Sequence, residues 1–217
     1  MSLKAYIRTA ITLGRGVFRG IPPATADRDP IEIFREWFAA AREAGVFLPE
    51  SMAVATATPG GAPSVRMLLL KGVDDRGFVF FGNYGSRKGA ELDANPRASL
   101  CFHWAFLERQ VRVEGRVERV SPEESRAYYA SRARGSRIGA WASRQSHPLG
   151  HRSELEERVR RFDREYPGDD VPLPPFWGGY LLRPDVIEFW QGKANRLHER
   201  LEFRRDGDRW ATRRLYP

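Results

Sequence analysis

The sequence predicts a mainly β protein in which a few helices flank antiparallel strands. Two apolar runs, residues 67–70 and 78–81, are separated by the residues DDRG at 74–77, a composition typical of a hairpin turn. Residues 109–120 alternate between apolar and polar side chains, as expected for a long strand with one face in water. The last part of the chain adds four strand-like segments, residues 176–182, 186–190, 201–205 and 210–215.

The composition is that of one folded domain with a basic surface. The chain has 217 residues, of which 41% are hydrophobic, enough for a sizeable core. Its formal net charge is +8 and its pI is about 10.0, which favours phosphorylated small molecules, nucleic acid or an acidic surface as partners. Basic residues alternate with acidic ones along periodic segments, which favours a folded basic surface over a nucleic-acid-binding arm.

Cysteine usage and hydropathy predict a cytoplasmic protein. The single cysteine, Cys101, cannot form an internal disulfide and lies in an apolar run, which indicates a buried thiol in a reducing compartment. No apolar run approaches the length of a membrane span, and Gly14-Arg15-Gly16 interrupts the N-terminal segment, so no signal peptide is predicted.

The N-terminal part of the chain predicts a mobile arm, residues 1–28, followed by a helix. Asp29 is a suitable N-cap, Pro30 fits the first helical position and Gly45 marks the end of the helix. Its apolar face consists of Ile31, Phe34, Phe38 and Ala41. A strand at residues 52–58 and a Pro-Gly-Gly turn would lead into the hairpin, giving three consecutive antiparallel strands.

Four cations surround the predicted hairpin. Ser86 is a suitable N-cap for a helix that ends before Pro96, and a helix N-terminus offers free N–H groups and partial positive charge. The cations are Arg66 and Lys71 beside the first strand and Arg87 and Lys88 after the second. This arrangement suits a phosphate-bearing ligand, although a hairpin with solvated basic ends explains the pattern equally well.

The middle of the chain alternates strands and helices. Residues 98–105 form an apolar strand, and capping boxes at residues 121–124 and 153–156 each open a helix.

The first of these helices carries polar groups on one ridge. Tyr128 and Arg132 lie four residues apart, and Ser136 follows at the same interval, although we expect Gly135 to end the helix first. Phenol, guanidinium and hydroxyl groups could together grip a phosphate. On spacing alone, a surface helix with a half-buried tyrosine is the simpler interpretation.

The segment WQGKANRLHER, residues 190–200, is another chemical feature. Arg196, His198 and Arg200 fall at period two, so on an extended chain they share one face. Such a face suits a planar, anionic, hydrogen-bonding ligand, whereas an isolated histidine is more often a bystander. The sequence has no zinc-ligand spacing and no GxGxxG, GxxxxGK[ST] or GxSxG motif, so no metal site is predicted and the other histidines are interpreted as structural.

Six motifs in order resemble the pyridoxamine 5'-phosphate oxidase family, FMN-dependent enzymes of vitamin B6 metabolism. They are RMLLLK, F-x-N-Y-G-S-R-K, LERQVRVEG, SRARGSRIGAWASRQS, PPFWGG and IEFWQGKANRLHER, and the resemblance covers about residues 52–217. It implies an FMN-binding split antiparallel β-barrel, with residues 29–217 as a single domain that includes a C-terminal dimerisation and substrate segment. It also implies a homodimer with FMN at the interface.

The resemblance implies which residues bind the cofactor and the substrate. The FMN contacts would be Arg66, Met67, Leu68, Phe81, Gly82, Ser86, Arg87, Lys88, Gln110, Gln145, Ser146, Trp190 and Arg200, some of them across the dimer. The substrate 5'-phosphate would be held by Lys71, Tyr128, Arg132 and Ser136. Arg196 and His198 would sit over the pyridine ring as the catalytic residues.

The implied activity is oxidation of pyridoxamine or pyridoxine 5'-phosphate to pyridoxal 5'-phosphate, by hydride transfer to FMN with O2 as final acceptor, giving H2O2. The nearest alternative is a related FMN-dependent oxidase, of the phenazine-pathway type, for another planar anionic substrate. A non-catalytic module that binds flavin or nucleic acid is a further alternative, disfavoured because the cations form no basic stripe. We therefore expect neither a nucleic-acid nor a membrane partner.

Three positions depart from the family pattern. Phe81 and Gly82 replace a usual Tyr-Thr pair, which removes two hydroxyls near the flavin, and we expect FMN binding to survive this change. Arg15 and Phe18 stand where the family's arm often carries Arg and Tyr, so a substrate lid is not inferred. Glu199 replaces the commoner Asp, a variant that related phenazine-pathway oxidases share.

Overall fold

The computed structural model describes Ile21 and residues 28–217. The predicted arm, including Arg15 and Phe18, lies outside the described residues except for Ile21 and Arg28. The helices are α1 Pro30–Glu43, α2 Arg87–Ala94, α3 Pro122–Ala130, α4 Arg134–Ala142 and α5 Arg152–Glu165. The strands are β1 Ser51–Ala57, β2 Pro63–Leu69, β3 Gly72–Asp74, β4 Gly77–Asn83, β5 Arg97–Trp104, β6 Arg109–Arg119, β7 Trp177–Gln191, β8 Glu199–Asp206 and β9 Arg209–Leu215.

All described strands pair antiparallel, in the order β2-β1-β5-β6-β7-β4-β3, with β8 on β7 and β9 on β8. Strand β7 divides the sheet, because the start of one edge pairs with β4 and the end of the same edge pairs with β8. Its other edge pairs with β6, with a register shift between Glu114 and Gly115. A Cβ at Gly115 would lie 1.9 Å from the Arg183 carbonyl oxygen, so this irregularity requires glycine. The sheet curls into a half-barrel with helices at its flanks.

Helix α1 packs its apolar face against the concave side of the sheet. Its N-cap is Asp29, whose carboxylate accepts a hydrogen bond of 2.8 Å from the Ile31 N–H. The Phe34 ring, fully buried, lies 4.8 Å from the Phe78 ring and 4.9 Å from the Phe102 ring. Burying one such side chain stabilises a fold by about 1.5–3 kcal/mol. The predicted helix is therefore the element that closes the main core.

The predicted hairpin is correct in its turn and wrong in one strand. Asp74 pairs with Gly77 across a two-residue loop, but the strand paired with β4 is the short β3. Residues 67–70, which were expected to pair with residues 78–81, belong instead to β2 and its end, and β2 pairs with β1 along its full length. The Pro-Gly-Gly turn folds β2 back onto β1 and leaves only β3 to form the hairpin.

Three further boundaries differ from the sequence predictions. Gly135 lies in the first turn of α4 and does not end a helix, since α3 has already ended at Ala130. The predicted capping box at residues 153–156 is wrong, because α5 begins at Arg152 with His151 as an N-cap that makes no side-chain bond. The two predicted strands at residues 176–182 and 186–190 form one continuous strand, β7.

Cys101 is half-buried on the sheet, and burial raises the pKa of its thiol.

No helix among the described residues combines the length and apolar character needed to cross a membrane. Within the same residues, no group of three or more His, Cys, Asp or Glu side chains could hold a metal ion.

Candidate functional site

A cavity of about 570 Å³ opens between β2, β4 and the helices α3 and α4. Its lining comes from β2, β4 and the start of β7, and from α3, α4 and the segments that follow these helices. The residues predicted from the sequence that line it are Met67, Leu68, Lys71, Phe81, Gly82, Tyr128, Arg132, Ser136 and Gln145. The cavity therefore brings together all four predicted phosphate ligands and five of the predicted flavin contacts.

Arg132 is the strongest candidate anion ligand in this cavity. It lies in the three-residue connection between α3 and α4, with its guanidinium stacked over the Trp177 ring at 4.6 Å. Its Nη1 is buried and has no hydrogen-bond partner among the described residues, and burial lowers the pKa of the group. A buried donor without a partner costs about 1–3 kcal/mol. The arrangement therefore favours a ligand that accepts a hydrogen bond there, and an anion best of all.

Three stacked aromatic rings line the cavity. The rings of Phe81 and Tyr128 stack with centroids 3.9 Å apart, and the Trp177 ring lies within 15° of parallel to both. Phe81, which stands where the family usually has Tyr, is held by this stacking and needs no hydroxyl for it. Aromatic rings beside a cationic group suit a planar anionic ligand.

The predicted cations Arg66, Arg87 and Lys88 gather at the N-terminus of α2. Ser86 caps this helix, and its hydroxyl also accepts a 2.9 Å hydrogen bond from the Lys88 ammonium. Lys88 donates a second bond, of 3.0 Å, to Gln145, which lines the cavity. Burial and the neighbouring Arg66 charge lower the pKa of Lys88 to about 8. One lysine thus links the helix N-terminus to the cavity.

Gly82 is coupled to Lys88. A Cβ at residue 82 would lie 2.7 Å from both the Cε and the Nζ of Lys88. The ammonium thus occupies the space in which the family's usual threonine would begin, so a larger residue would displace the lysine.

A buried carboxylate lies beneath two of these cations. Glu91 of α2 is 5% exposed and accepts hydrogen bonds from Thr56 and Ser64 at 2.5 Å each. Those two bonds go to Oε2, and Arg66 Nη2 lies 3.4 Å from the same oxygen. The other oxygen, Oε1, accepts a hydrogen bond of 2.8 Å from Arg87 Nε. The cavity residues and this α2 cluster are called the cavity half of the site.

A second group of predicted ligands lies on β6, β7 and β8. Gln110 pairs with Trp190, and Trp190 pairs with Arg200, so the three occupy one row across the sheet. The His198 ring lies 4.6 Å from the Trp190 ring. Its Nδ1 accepts a 3.1 Å hydrogen bond from the Lys193 backbone N–H, which leaves Nε2 as the protonated, donating nitrogen of a neutral ring.

Arg200 is held by a buried acid. Glu188 is 2% exposed and accepts bonds of 2.8 and 3.0 Å from Arg200, and its carboxylate also pairs with Arg112 at 2.8 Å. The hydrogen bonds to Glu188 raise the pKa of Arg200. The row Gln110–Trp190–Arg200, with Arg196, His198 and Glu188, is called the edge half of the site.

Arg196 does not have the predicted geometry. It ends a 3-10 turn, Ala194–Arg196, in which Asn195 and Arg196 have left-handed φ values of 58° and 61°. The expectation that Arg196, His198 and Arg200 share one face of an extended chain is therefore wrong. The turn leaves Arg196 exposed beside His198, where it remains available to a ligand.

The two halves lie at opposite ends of β7. Trp177 begins the strand and Trp190 is its penultimate residue. Thirteen residues of strand span about 40 Å, far more than the length of a small ligand. The two halves are therefore separated along β7 by more than the length of a small ligand. Ser146, another predicted contact, follows Gln145 in a left-handed conformation (φ 71°) and is exposed outside the cavity lining.

Sequence reasoning missed three residues of these halves. Trp177 lies within the PPFWGG motif, yet nothing in that motif assigns it to Arg132. Glu91 lies four residues after Arg87 on a helix, a spacing that signals an ion pair. Glu188 alternates with apolar neighbours in a strand, a pattern that does not reveal its arginine partners.

Comparison with known proteins identifies the family. The pyridoxamine 5'-phosphate oxidase profile matches residues 40–164, and residues 177–217 match the pyridoxine 5'-phosphate oxidase C-terminal dimerisation region. The pyridoxine/pyridoxamine 5'-phosphate oxidase of Psychromonas ingrahamii is 54% identical over 217 residues, all of both chains. The protein of that name from Rubrobacter xylanophilus is 57% identical over 198 residues, 91% of each chain.

Solved structures share the fold. PhzG from Burkholderia lata 383, in complex with tetrahydrophenazine-1-carboxylic acid, superposes with a TM-score of 0.86 at 32% identity, covering 93% of this chain and 100% of that one. An FMN-binding protein from Nostoc punctiforme, related to pyridoxamine 5'-phosphate oxidase, has a TM-score of 0.68 at 18% identity over 89% of this chain and 100% of its own, and it supports the fold alone. The predicted split antiparallel barrel is confirmed, and the chain belongs to the pyridoxamine 5'-phosphate oxidase family.

Proposed function

We propose that this chain oxidises pyridoxine or pyridoxamine 5'-phosphate to pyridoxal 5'-phosphate with FMN as cofactor and O2 as final acceptor. The observation that carries the proposal is the cavity in which Lys71, Tyr128, Arg132 and Ser136 meet around a buried, unpartnered guanidinium nitrogen. Three relatives named pyridoxine/pyridoxamine 5'-phosphate oxidase, which are 48–57% identical over nearly the whole chain, support the proposal.

The residues present fit a flavin mononucleotide. The capped N-terminus of α2 and the cations Arg66, Arg87 and Lys88 suit its phosphate. Gly82, Met67 and Leu68 line the same cavity as the three stacked aromatic rings. Further contacts are assigned to Phe81, Ser86, Gln110, Gln145, Ser146, Trp190 and Arg200.

The chemistry that bound FMN would supply is acceptance of a hydride from the substrate, with later transfer of two electrons to O2 to give hydrogen peroxide. For the amine substrate, water then hydrolyses the resulting imine and releases ammonia. The protein supplies orientation and charge. Lys71 and Arg132 neutralise the substrate phosphate, and the hydroxyls of Tyr128 and Ser136 donate hydrogen bonds to it.

Arg196 and His198 act on the ring end of the substrate. His198 is fixed as a hydrogen-bond donor through Nε2, because its Nδ1 accepts from Lys193. Arg196 brings a positive charge from the exposed turn and stabilises negative charge on the ring or assists proton loss.

A homodimer completes the site. The match of residues 177–217 to a dimerisation region supports the homodimer, and the two halves at opposite ends of β7 supply the reason for it. In a dimer with two-fold symmetry, the cavity half of one protomer and the edge half of its partner would form each of two identical sites, with FMN between them.

The structural similarity to PhzG, which was solved with tetrahydrophenazine-1-carboxylic acid, favours one alternative. This alternative is an oxidase for a planar carboxylic acid that carries no phosphate. Glu199 is the residue of this chain that agrees with it. The four phosphate-binding candidates in the cavity argue against it, because a carboxylate offers fewer acceptors than a phosphate.

The test is the visible spectrum of the purified protein before and after anaerobic addition of pyridoxine 5'-phosphate. We expect flavin absorbance that bleaches on addition and returns with oxygen. Pyridoxine without its phosphate is the matched control and should bleach far more slowly. A flavin-loaded protein that neither phosphorylated vitamer reduces would reject the proposed substrate, and reduction by a planar carboxylic acid instead would establish the alternative.

A further inference from the structure

The α2 cluster contains a carboxylate to which the proposed function assigns no role. Glu91 is the residue through which strand β2 and helix α2 share a polar contact, because it meets Arg66 from the strand and Arg87 from its own helix. Burial opposes its ionisation, but hydrogen bonds from Ser64, Thr56 and Arg87 outweigh this and lower the pKa of Glu91 to about 2. The carboxylate is therefore charged at any physiological pH.

Glu91 holds the Arg87 guanidinium directly and the Arg66 guanidinium mainly through the hydroxyls of Thr56 and Ser64, since its own contact with Arg66 is 3.4 Å long. Arg87 uses Nε for its bond to Glu91, which leaves Nη1 and Nη2 for a ligand. Arg66 is held by two hydroxyl groups. Its Nη1 donates a hydrogen bond of 2.6 Å to Thr56, and its Nη2 donates one of 2.5 Å to Ser64. Thr56 and Ser64 are the same hydroxyls that donate to Glu91. The carboxylate, two hydroxyls and two guanidiniums thus form one connected network.

The Glu91 carboxylate offsets the repulsion between neighbouring positive charges. Arg66, Arg87 and Lys88 lie together at a helix N-terminus, and the Arg66 charge is one cause of the lowered Lys88 pKa. Without the Glu91 carboxylate, Arg87 would lose its hydrogen-bond partner and the two hydroxyls that hold Arg66 would lose their acceptor. Fixing a freed arginine again would cost up to about 2 kcal/mol of side-chain entropy.

We propose that Glu91 is a positioning residue that holds the guanidiniums of Arg66 and Arg87 in place for the phosphate of the flavin cofactor. This inference rests on the proposed function, because it assumes that the α2 cluster receives that phosphate. It assigns no direct contact between Glu91 and the ligand.

The test compares two flavins that differ only in the phosphate. The flavin-free full-length chain is titrated with FMN and with riboflavin, and quenching of flavin fluorescence gives both Kd values. For E91A we expect the preference for FMN over riboflavin to fall about tenfold, while riboflavin affinity stays nearly unchanged. E91Q keeps one acceptor oxygen and should lose about threefold. The matched control is D93N on the same helix, whose exposed carboxylate pairs with Arg119 and should leave both affinities unchanged.

Each other result has a definite meaning. A purely structural role would lower the thermal midpoint or weaken both flavins equally, without changing the preference, and would overturn the inference. A stronger preference for FMN in E91Q would also overturn it, because Glu91 would then act mainly by repelling the phosphate. If E91A does not fold, the FMN preference of E91Q decides in the same way. A wild-type chain that binds the two flavins equally would reject the proposed phosphate site itself, whereas a wild-type preference retained in E91A rejects only the role of Glu91.

Discussion

The cavity half and the edge half of the site are built differently. The cavity half has walls on several sides, from β2, β4, α3 and α4, and an internal volume of about 570 Å³. The edge half is a row of side chains on a sheet, with Arg196 and Leu197 exposed. Each half nevertheless contains a buried glutamate that holds two arginines, Glu91 in one and Glu188 in the other.

The difference shows which half can bind a ligand alone. An open cavity in which, among the described residues, Arg132 Nη1 has no hydrogen-bond partner is ready for an anion in one chain. An open row has its side chains in place but lacks an opposing wall. The edge half is therefore expected to act only when another protomer covers it.

The largest expected effect is loss of activity in R132A and in R196A, with recovery when the two are mixed. Removing either guanidinium from its proposed anionic partner should lower kcat/KM about a hundredfold or more. If each site combines the two halves from different protomers, a mixed dimer has one site with both changes and one intact site. Co-expressed chains that assort randomly should then recover about a quarter of wild-type activity.

The measurement is oxygen uptake with pyridoxine 5'-phosphate by the co-purified mixture. Two differently tagged copies of R132A serve as the control and should recover nothing. Absence of recovery in the mixed sample would mean that both arginines serve the site from the same chain.

How much of this division was predictable depends on how local each signal is. The alternation that predicts β6 at residues 109–120 is a local signal, and the strand runs over Arg109–Arg119. The pairing of β2 with β1 is a non-local choice, so the apolar pattern at residues 67–70 could not distinguish β1 from β4 as its partner. A strand pattern gives the face of a residue and leaves its neighbour open.

The site shows the same limit. Spacing alone favoured a plain surface helix for Tyr128 and Arg132, and only the family resemblance placed them with Lys71 and Ser136, as the cavity does. The period-two pattern failed at Arg196, because a left-handed φ at Asn195 and Arg196 leaves no trace in a hydrophobic pattern. Ion-pair partners such as Glu188 require the strand register, which sequence spacing does not supply.

The next largest effect is expected from E188Q, which tests the anchor of the edge half. Removing the charge leaves Arg112 and Arg200 without their shared buried partner, and we expect the free energy of unfolding to fall by about 2 kcal/mol. Denaturant unfolding measures it. D185N removes the carboxylate of the exposed Asp185–Arg97 pair and should change stability by less than about 0.5 kcal/mol. Equal effects of the two variants would show that Glu188 is not an anchor.

A smaller effect is expected on KM when Trp177 of the cavity half is changed, and not when a similar tryptophan elsewhere is changed. W177L removes the ring beneath the Arg132 guanidinium, and we expect KM for the phosphorylated substrate to rise about tenfold with little change in kcat. W210L is the matched control, because Arg205 lies 4.1 Å over the Trp210 ring in a pair on β8 and β9. Steady-state kinetics of both variants decide the matter, and a kcat loss without a KM change would assign Trp177 a different role.

The smallest effect concerns pH and Lys88. Its pKa is lowered from 10.5 to about 8, first by burial and then by the Arg66 charge. A bound phosphate favours the charged form, so FMN affinity should be complete only well below pH 8 and should fall about threefold from pH 8 to 9. Stability has the opposite sign, because between about pH 8 and 10.5 the unfolded chain binds the proton that the folded chain has lost.

The role of Lys88 is tested by two measurements on the flavin-free chain as a function of pH, namely the free energy of unfolding and the affinity for FMN. The free energy of unfolding should gain a rising contribution across that pH range while FMN affinity declines, and K88M should remove both trends. Arg66 is the neighbouring charge that contributes to the shift, and Ser86 and Gln145 are the neutral acceptors of the ammonium. Riboflavin affinity should stay flat with pH, since riboflavin carries no phosphate for the ammonium to attract. A riboflavin affinity that falls in parallel would place the titrating group at the ring system of the flavin and would separate Lys88 from the phosphate site of the cavity half.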